Sequence, residues 1–348
     1  MSLASGHEAH DLEGDEFERL TRNFPPYRTG LVRLSPGGWV FPKQYRKYAD
    51  HLYNFEVRPT DVFLVTYPKV GTTWTQEILW TMIFNPDLDN PKQEVSLEKR
   101  SPFLDVDMLF PAETTPETEE FMKPALEEFK KLCPGKDPKD GMYWQIGAAC
   151  RDRPRILKSH LPLSLLPPSL VDVAKVVYVI RNPADVITSY CHHCSLFTEM
   201  KFTGTVEEFA ELFLNDDVVY SPYWLHVKEA WEKRSHPNMH ILRFEDMKSD
   251  VTKELRKLND FLGTKLNEKQ LENVKKHTTF DAMKNRTTIF DFDITEKSPF
   301  VDPEVLKKDG GFFRQGTTGD GKKKLSPEML KRLKEWCGKR FDFGLTFD

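Results

Sequence analysis

The chain has 348 residues, of which 39% are hydrophobic and 12% aromatic, so it can bury a large core and we expect one domain over residues 1–348. Its net charge of −4 argues against non-specific nucleic-acid binding. Because no apolar run reaches the roughly 20 residues of a membrane helix, and the five cysteines form an odd, widely spread set, we expect a cytoplasmic protein without a membrane segment.

Residues 1–60 predict an irregular N-terminal arm. Prolines and glycines interrupt this stretch, as at Pro25, Pro36 and Gly37, and aromatic residues recur along it. The aromatic side chains are consistent with a lid over an apolar ligand and equally with a simple anchor to the core. The sequence leaves both interpretations open.

Residues 62–74 (VFLVTYPKVGTTW) predict a strand, a tight loop and the start of a helix. The β-branched and aromatic run at 62–65 is typical of a buried strand, and apolar residues recur with helical spacing up to residue 83. Gly71 lies between the two elements, where the backbone must approach a neighbour closely. Lys69 and two threonine hydroxyls add to the free N–H groups of the helix start, so the loop predicts a phosphate site.

The rest of the chain predicts an α/β fold with one long excursion. Residues 101–153 depart from strand–helix alternation, and segments of this length commonly cover an active site. Further strands are predicted at 155–160, 173–180 and 239–244, each followed by a turn or a helical pattern. Together these elements predict a central, mostly parallel sheet flanked by helices.

Chemically active side chains follow three of the predicted strands. Lys69 follows the first strand, and Lys158 and His160 end the second. Arg181 ends the third, and Ser189 lies farther along the helix that follows. Because ligands of open α/β sheets bind beyond the carboxyl ends of the strands, we predict that these side chains surround one anion site.

The residue order in TYPKVGTTW (66–74) resembles the 5′-phosphosulfate loop of the cytosolic sulfotransferases. A Walker A loop places its lysine after the second glycine, whereas here Lys69 precedes Gly71. Residues 155–162 (RILKSHLP) and 176–190 (VVYVIRNPADVITSY) resemble the central region of the same family. The chain is therefore identified as a member of this family, with an arthropod-like excursion.

The resemblance implies that the chain binds 3′-phosphoadenosine 5′-phosphosulfate (PAPS) and releases adenosine 3′,5′-bisphosphate (PAP). The implied phosphosulfate loop comprises Lys69, Val70, Gly71, Thr72, Thr73 and Trp74. The implied 3′-phosphate site comprises Arg181, Ser189, Arg314, Gln315 and Gly316. The implied adenine site comprises Trp74, Phe244, Thr278, Phe280 and Met283. The family has serine, tyrosine and lysine where this chain has Val70, Phe244 and Gln315.

The implied reaction transfers a sulfonate group from PAPS to a hydroxyl or amine of a small hydrophobic acceptor. His160 would remove the acceptor proton as general base. Lys69 and Lys158 would stabilise the charge that develops on the leaving phosphate and on the sulfonate. Sulfonate carries less charge than a γ-phosphate, so no metal ion is expected.

Three alternative functions stay open at this stage. The long excursion and aromatic arm resemble the retinol dehydratase branch of the family, which eliminates a transient sulfonate ester. A nucleoside or nucleotide kinase would bind ATP with Mg²⁺, and a carrier of lipids or hormones would need no catalytic base. The sequence specifies neither the acceptor nor the oligomeric state.

A short cysteine–histidine motif, Cys191-His192-His193-Cys194, resembles half of a metal site. A zinc site would need a second pair of ligands at a suitable spacing, and the sequence has none. We therefore predict that Cys191 and Cys194 line the core or a pocket.

Overall fold

A parallel sheet carries the phosphate loop at its centre. The computed structural model describes residues 1–110, 116–289, 294–314 and 316–347. Its strands, in chain order, are β1 (Glu8–Asp11), β2 (Leu31–Ser35), β3 (Val40–Pro42), β4 (Val62–Thr66), β5 (Ile156–Ser159), β6 (Lys175–Ile180) and β7 (Met239–Arg243). Among the described residues, four of them form a parallel sheet in the order β5–β4–β6–β7.

Helices surround this sheet. In chain order they are α1 (Gly14–Thr21), α2 (Tyr45–Tyr53), α3 (Thr72–Phe84), α4 (Leu97–Arg100), α5 (Pro116–Leu132), α6 (Tyr143–Ala149), α7 (Leu170–Val173), α8 (Pro183–Leu196), α9 (Val206–Leu214), α10 (Tyr223–Glu232), α11 (Phe244–Ser249), α12 (Val251–Leu262), α13 (Glu268–His277), α14 (Phe280–Lys284), α15 (Pro303–Asp309), α16 (Asp320–Lys324) and α17 (Pro327–Arg340). Short 3₁₀ turns lie at Pro25–Thr29, Pro91–Glu94, Val106–Leu109, Pro138–Asp140, Leu163–Leu165 and Thr287–Ile289. The predicted α/β fold with a central parallel sheet is confirmed.

The strand order places two loops side by side at the carboxyl edge of the sheet. Strand β4 lies between β5 and β6, and all of its residues are buried. The chain leaves β4 for β5 on one side and then crosses to β6 on the other side. Such a switch in direction opens a crevice beyond the carboxyl ends of the strands. The loops after β4 and β6 therefore border the same crevice.

The prediction of an irregular N-terminal arm is wrong. Residues 1–60 contain the antiparallel sheet β1–β2–β3 together with helices α1 and α2. The backbone amide of Val40 donates to the Ser221 carbonyl at 3.1 Å, and the amide of Tyr220 donates to the Val40 carbonyl at 2.9 Å. These two hydrogen bonds attach the N-terminal sheet to the segment that precedes α10.

Three of the predicted strands extend too far. The second, predicted at 155–160, covers only Ile156–Ser159. The third begins at Lys175, because Val173 completes the short helix α7 and the Ala174 amide bonds back to Leu170. The fourth ends at Arg243, and Phe244 already belongs to α11. The early end of β7 matters for the site, because it turns the Phe244 ring toward the loop after β4.

The described helices give no candidate for a membrane span, since none has the required length together with the required apolar character. The longest of them, α5, is amphipathic and contains Pro124. The cytoplasmic location and the organisation as one domain stay predictions.

A buried ion pair joins the segments that lead into β4 and β5. The Arg155 guanidinium donates to both carboxylate oxygens of Asp61 at 2.8 and 2.5 Å, and both side chains are fully buried. Arg155 also donates to the backbone carbonyls of Gly147 and Glu56. The pair therefore holds the amino ends of two neighbouring strands and the end of the excursion together.

Replacing Asp61 by alanine should lower the free energy of unfolding by about 3–5 kcal/mol, because it leaves a buried guanidinium without its counter-ion. Urea denaturation of the variant and the wild type measures the difference. Arg256→Ala, which removes an exposed pair with Glu268, is the matched control and should leave the denaturation midpoint unchanged. An Asp61→Ala protein as stable as the control would contradict the structural role of the pair.

Candidate active site

The backbone of the loop between β4 and α3 approaches a neighbour closely at Gly71, as its sequence predicts. Gly71 has a φ of 111°, and a β-carbon there would lie 2.7 Å from the Phe244 ring. Lys69 also adopts a positive φ, at 66°. Only glycine allows this close approach at position 71 without displacing the ring. The loop is thus packed against Phe244 at one edge and open at the N-terminus of α3.

A cavity of about 670 Å³ lies over this loop. Most of the predicted site residues are in its wall, namely Lys69, Gly71, Thr72, Thr73, Trp74, Lys158, His160, Arg181, Ser189, Phe244, Phe280, Met283, Arg314 and Gly316. Two predicted residues are absent from the wall: the Val70 side chain is fully buried, and the Thr278 hydroxyl donates to the Val274 carbonyl. Gln315 lies outside the described residues.

The excursion at 101–153 contributes to the opposite wall of the cavity. Phe103 and Leu109 contact the cavity from its first part, and Met122 and Ala125 contact it from α5. Phe129 of α5 forms a small cluster with Cys133 and Met142 that is separate from the main hydrophobic core, and Met122 and Ala125 pack against this cluster. The part of the wall that α5 contributes therefore packs on a satellite core of its own.

The His160 ring is held in one orientation by Thr66, the last residue of β4. Its Nδ1 lies 2.8 Å from the Thr66 carbonyl and 3.0 Å from the Thr66 hydroxyl. A carbonyl can only accept, so Nδ1 carries the proton and Nε2 keeps its lone pair. Burial and the nearby Lys158 ammonium lower the pKa of His160 well below its usual value. The ring is therefore neutral at physiological pH and is suited to accept a proton.

The backbone of His160 is fixed as firmly as its ring. Its amide donates to the Asp105 carboxylate at 3.1 Å, and that carboxylate also accepts from the Tyr220 hydroxyl at 3.0 Å. Its carbonyl lies 3.0 Å from Nε2 of His226, whose Nδ1 accepts from the Tyr178 hydroxyl at 2.6 Å. These partners lie in four parts of the fold: Asp105 in the excursion, Tyr220 before α10, His226 in α10 and Tyr178 in β6.

Two lysines, Lys69 and Lys158, lie in the cavity wall with their ammonium groups over aromatic rings. Lys69 lies over the Phe312 ring at 3.8 Å, and Lys158 lies over the Phe103 ring at 3.9 Å. Burial and the charges of Arg181 and Lys158 lower the pKa of Lys69 to about 7. Burial lowers the pKa of Lys158 to about 8. Both values indicate that an anionic ligand would stabilise the charged lysines.

Arg181 connects the loops after β4 and β6. Its guanidinium donates to the Lys69 carbonyl at 3.0 Å and to the Thr317 carbonyl at 3.1 Å, and it lies 4.3 Å from the Phe244 ring. Its Nε is buried and makes no hydrogen bond to the described residues. Arg181 is therefore held rigidly at the cavity wall, and burial lowers its pKa.

Asp185 organises the glycine-rich segment that carries Arg314. Its carboxylate accepts from the amides of Gly319 and Gly321, both at 2.8 Å. A β-carbon at Gly321 would lie 2.3 Å from the backbone of Ala184, so only glycine fits at this position. This contact brings the segment against the first turn of α8.

The motif 191–194 contains no metal site in the described structure, since no three histidine, cysteine or acidic residues there cluster to hold an ion. Cys191 and Cys194 are buried in the core, as the sequence predicts. His193 lies in the cavity wall with its Nδ1 unbonded among the described residues, and the nearby lysines help to lower its pKa.

Sequence reasoning missed the residues that position His160. Asp105 bonds a residue 55 positions away, and Tyr220 bonds Asp105 from a distance of 115 positions. Neither belongs to a local motif. Thr66 could have been identified from the sequence, because it ends the strand β4 that pairs with β5, the strand that leads into His160.

These features define an α/β protein with a crevice lined by Lys69, Lys158 and Arg181 and a neutral histidine in its wall. A model of the sulfotransferase domain matches residues 59–343, and the chain belongs to the sulfotransferase family. Luciferin sulfotransferase of Photinus pyralis is 31% identical over 308 residues, covering 85% of this chain and 75% of that protein. Sulfotransferase 1E1 of Bos taurus is 32% identical over 293 residues, covering 83% and 87%.

The fold also matches solved structures. Retinol dehydratase in complex with retinol and PAP superposes with a TM-score of 0.83 and 30% identity over 98% of this chain and 99% of that one. The same enzyme with androsterone and PAP gives a TM-score of 0.80. The chain is thus an enzyme of the sulfonate-transferring class, and the family favours this reading over the kinase and carrier alternatives.

Asp105→Ala should reduce kcat about tenfold to a hundredfold, because a shift of the His160 backbone by a fraction of an ångström misplaces the predicted general base. PAP affinity should not change. Turnover with PAPS and a panel of phenols, steroids and aliphatic alcohols measures kcat. Asp105→Asn retains one acceptor oxygen and should recover part of the rate.

Asp107→Ala is the matched control. Asp107 lies in the same excursion and accepts hydrogen bonds from the amides of Met142 and Tyr143, but it does not bond to His160. Equal losses of kcat in the Asp105 and Asp107 variants would mean that the excursion as a whole matters, and not the contact with His160.

Proposed function

We propose that the chain transfers the sulfonate group of PAPS to a hydroxyl or amine of a small hydrophobic acceptor, with His160 as general base. One observation carries this proposal. The neutral His160 ring donates a hydrogen bond from Nδ1 to the Thr66 carbonyl, and it lies in the wall of the same cavity as Lys69 and Lys158. A base and two cations around one cavity are what transfer of an anionic group to a neutral nucleophile requires.

The residues in the wall fit an adenosine bisphosphate with a 5′-phosphosulfate. Lys69 and the start of α3, with Thr72 and Thr73, offer a cation, hydroxyls and free N–H groups to the 5′ side. The unbonded buried Nε of Arg181 supports a role near the 3′-phosphate, with Ser189 and Arg314 in the same wall. Trp74 and Phe244, with ring centroids 5.8 Å apart, supply flat apolar surfaces suited to a base. The similar retinol dehydratase structure contains PAP, which agrees with this assignment.

Each residue has a separate part in the proposed reaction. His160 takes the acceptor proton on Nε2 as the acceptor oxygen or nitrogen bonds to sulfur. Lys69 stabilises the charge on the phosphate oxygen that leaves, and Lys158 stabilises the sulfonate oxygens. Because all three groups are in place before the substrates bind, little reorganisation accompanies the reaction.

A retinol dehydratase-like reaction is the second candidate, favoured by a superposition that covers almost the whole of both chains. In this reaction the sulfonated alcohol would lose its sulfate by breaking the carbon–oxygen bond, and a base would remove a proton from the neighbouring carbon to leave an alkene. Product mass separates the candidates, because the first retains the sulfonate and the second loses water overall.

His160→Ala should lower kcat by about 10²–10⁴, the usual contribution of a general base. Thermal shifts with PAP should match those of the wild type, because the nucleotide contacts stay intact. His236→Ala is the control, since His236 pairs with Asp172 away from the cavity wall. Normal turnover in His160→Ala would overturn the assignment of the base.

PAP affinity should fall as the pH rises through about 7, because Lys69 loses its proton there in the free protein. The sign follows from a lowered lysine pKa: the ammonium that pairs with phosphate exists below this pKa and is lost above it. Calorimetric titrations on both sides of this pH measure the effect and the proton taken up on binding.

The matched variants are Lys69→Arg, which stays charged throughout, and Lys69→Met, which carries no charge. Both should lack this step in affinity, and only Lys69→Met should bind weakly at every pH. A step that persists in Lys69→Met would assign the titration to another group.

A further inference from the structure

Helix α3 carries a fully buried carboxylate, Glu77, one turn after Trp74. Trp74 lies in the cavity wall, whereas Glu77 is not one of the described residues of that wall. Burial alone would raise the pKa of Glu77, but the hydrogen bond from His277 and the charges of Arg100 and Arg286 lower this pKa below its usual value. The group is therefore a charged carboxylate inside the protein, and such a charge is tolerated only with close partners.

The two oxygens of this carboxylate bind different parts of the chain. Oε1 accepts a hydrogen bond from Nη1 of Arg286 at 2.7 Å and lies 3.2 Å from Nε2 of His277. Oε2 accepts from Nη2 of Arg100 at 2.9 Å. A carboxylate can only accept, so Nε2 of His277 carries a proton in this contact. Oε1 thus contacts the segment 277–286, and Oε2 contacts the end of α4.

The contacts of Oε1 fix both ends of a segment that forms part of the cavity wall. Arg286 also donates from Nη2 to the His277 carbonyl at 2.6 Å, so its guanidinium closes residues 277–286 into a loop. Phe280 and Met283 lie within this loop, and both are in the cavity wall. The position of these two side chains therefore depends on Arg286 and on Oε1.

The contact of Oε2 fixes the start of the excursion. One residue after Arg100, residues 102–104 pair with Lys158 of β5 through two backbone hydrogen bonds of 2.9 Å. The Phe103 ring centre lies 3.9 Å from the Lys158 ammonium and 4.9 Å from the centre of the His160 ring. Arg100 therefore holds the part of the excursion that packs against the reaction centre.

We propose that Glu77 is a positioning residue that couples the two halves of the site. Oε1 holds the wall that contacts the nucleotide base, through Arg286, and Oε2 holds the excursion against the reaction centre, through Arg100. The two roles are separable, because each oxygen has its own partners. This inference rests on the proposed function for the PAPS donor and on the sequence prediction that Phe280 and Met283 contact the base.

Arg286→Met should weaken PAP binding about threefold to tenfold, the range of one net hydrogen bond. The reason is that the loop 277–286 loses a closing contact, so Phe280 and Met283 are no longer held against the base. Binding of ribose 3,5-bisphosphate, which lacks the base, should not change, and neither should kcat at saturating PAPS. Calorimetry measures both affinities. Arg286→Lys retains the charge and should recover part of the PAP affinity.

Arg100→Met should have the opposite effect. Its kcat should fall about tenfold to a hundredfold, because the Phe103 ring beside Lys158 and His160 moves and misplaces them. PAP affinity should not change. Turnover with PAPS and a panel of phenols, steroids and aliphatic alcohols measures kcat. Arg100→Lys, which keeps the charge, is the milder variant should thermal denaturation show that Arg100→Met has not folded.

Hydrogen exchange of backbone amides tests the same division without turnover. The amides of Leu104 and Lys158 are bonded in the pairing of the excursion with β5, and that of Met283 is bonded within the loop 277–286. The first two should exchange faster in Arg100→Met alone. The Met283 amide should exchange faster in Arg286→Met alone.

Glu77→Gln removes the charge that both guanidinium groups share, so it should show the two losses together. Asp61→Asn is the matched control. Asp61 forms a buried ion pair with Arg155, and neither residue is among the described residues of the cavity wall. The control should lower the thermal midpoint and leave PAP affinity and kcat unchanged at temperatures well below that midpoint.

Proportional changes of PAP affinity, kcat and amide exchange in Arg286→Met and Arg100→Met would overturn the coupling role. The same holds for a Glu77→Gln protein that behaves like Asp61→Asn, since both results describe a general loss of stability. Equal wild-type affinities for PAP and ribose 3,5-bisphosphate, or turnover of no acceptor, with the division in hydrogen exchange intact, would contradict the proposed function alone.

Discussion

The burial of positive charge at the carboxyl edge of the parallel sheet is the constraint on which this site depends. Lys69 and Lys158 face one cavity together with Arg181, and their mutual repulsion and burial lower the pKa of Lys69 to about 7. Such crowding costs free energy, and it persists because backbone contacts such as that of Arg181 with the Lys69 carbonyl hold the groups in place. The same rigidity makes the site complementary to developing negative charge.

Local patterns predicted the parts of the site that lie within one strand–loop–helix unit. The loop around Gly71 was predictable because a buried strand, a glycine and a helix start within ten residues leave few backbone conformations. The N-terminal sheet was not, because β1 (EAHD) is mostly exposed and lacks the alternation that marks a strand, and its pairing depends on β2. Val70 was placed in the site by family analogy, and the structure buries its side chain in the core instead.

The contacts that position the base could not be predicted from the sequence, because they join segments that only the tertiary fold brings together. Asp105 lies in an irregular stretch of the excursion, and nothing in its neighbours indicates a partner 55 positions away. Tyr220 is placed by the hydrogen bonds between its segment and β3. The geometry around His160 thus depends on the N-terminal sheet and on the excursion at 101–153, for which the sequence predicted no contact with the histidine.

The satellite core under α5 has a consequence for how the protein can diverge. Helix α5 contributes Met122 and Ala125 to the cavity, and these two side chains pack on the small cluster of Phe129, Cys133 and Met142, which is separate from the main core. Mutations that reshape this wall therefore spare the sheet, the phosphate loop and the residues around His160. Natural selection can thus remodel this wall in a lineage while the loop between β4 and α3 is inherited unchanged.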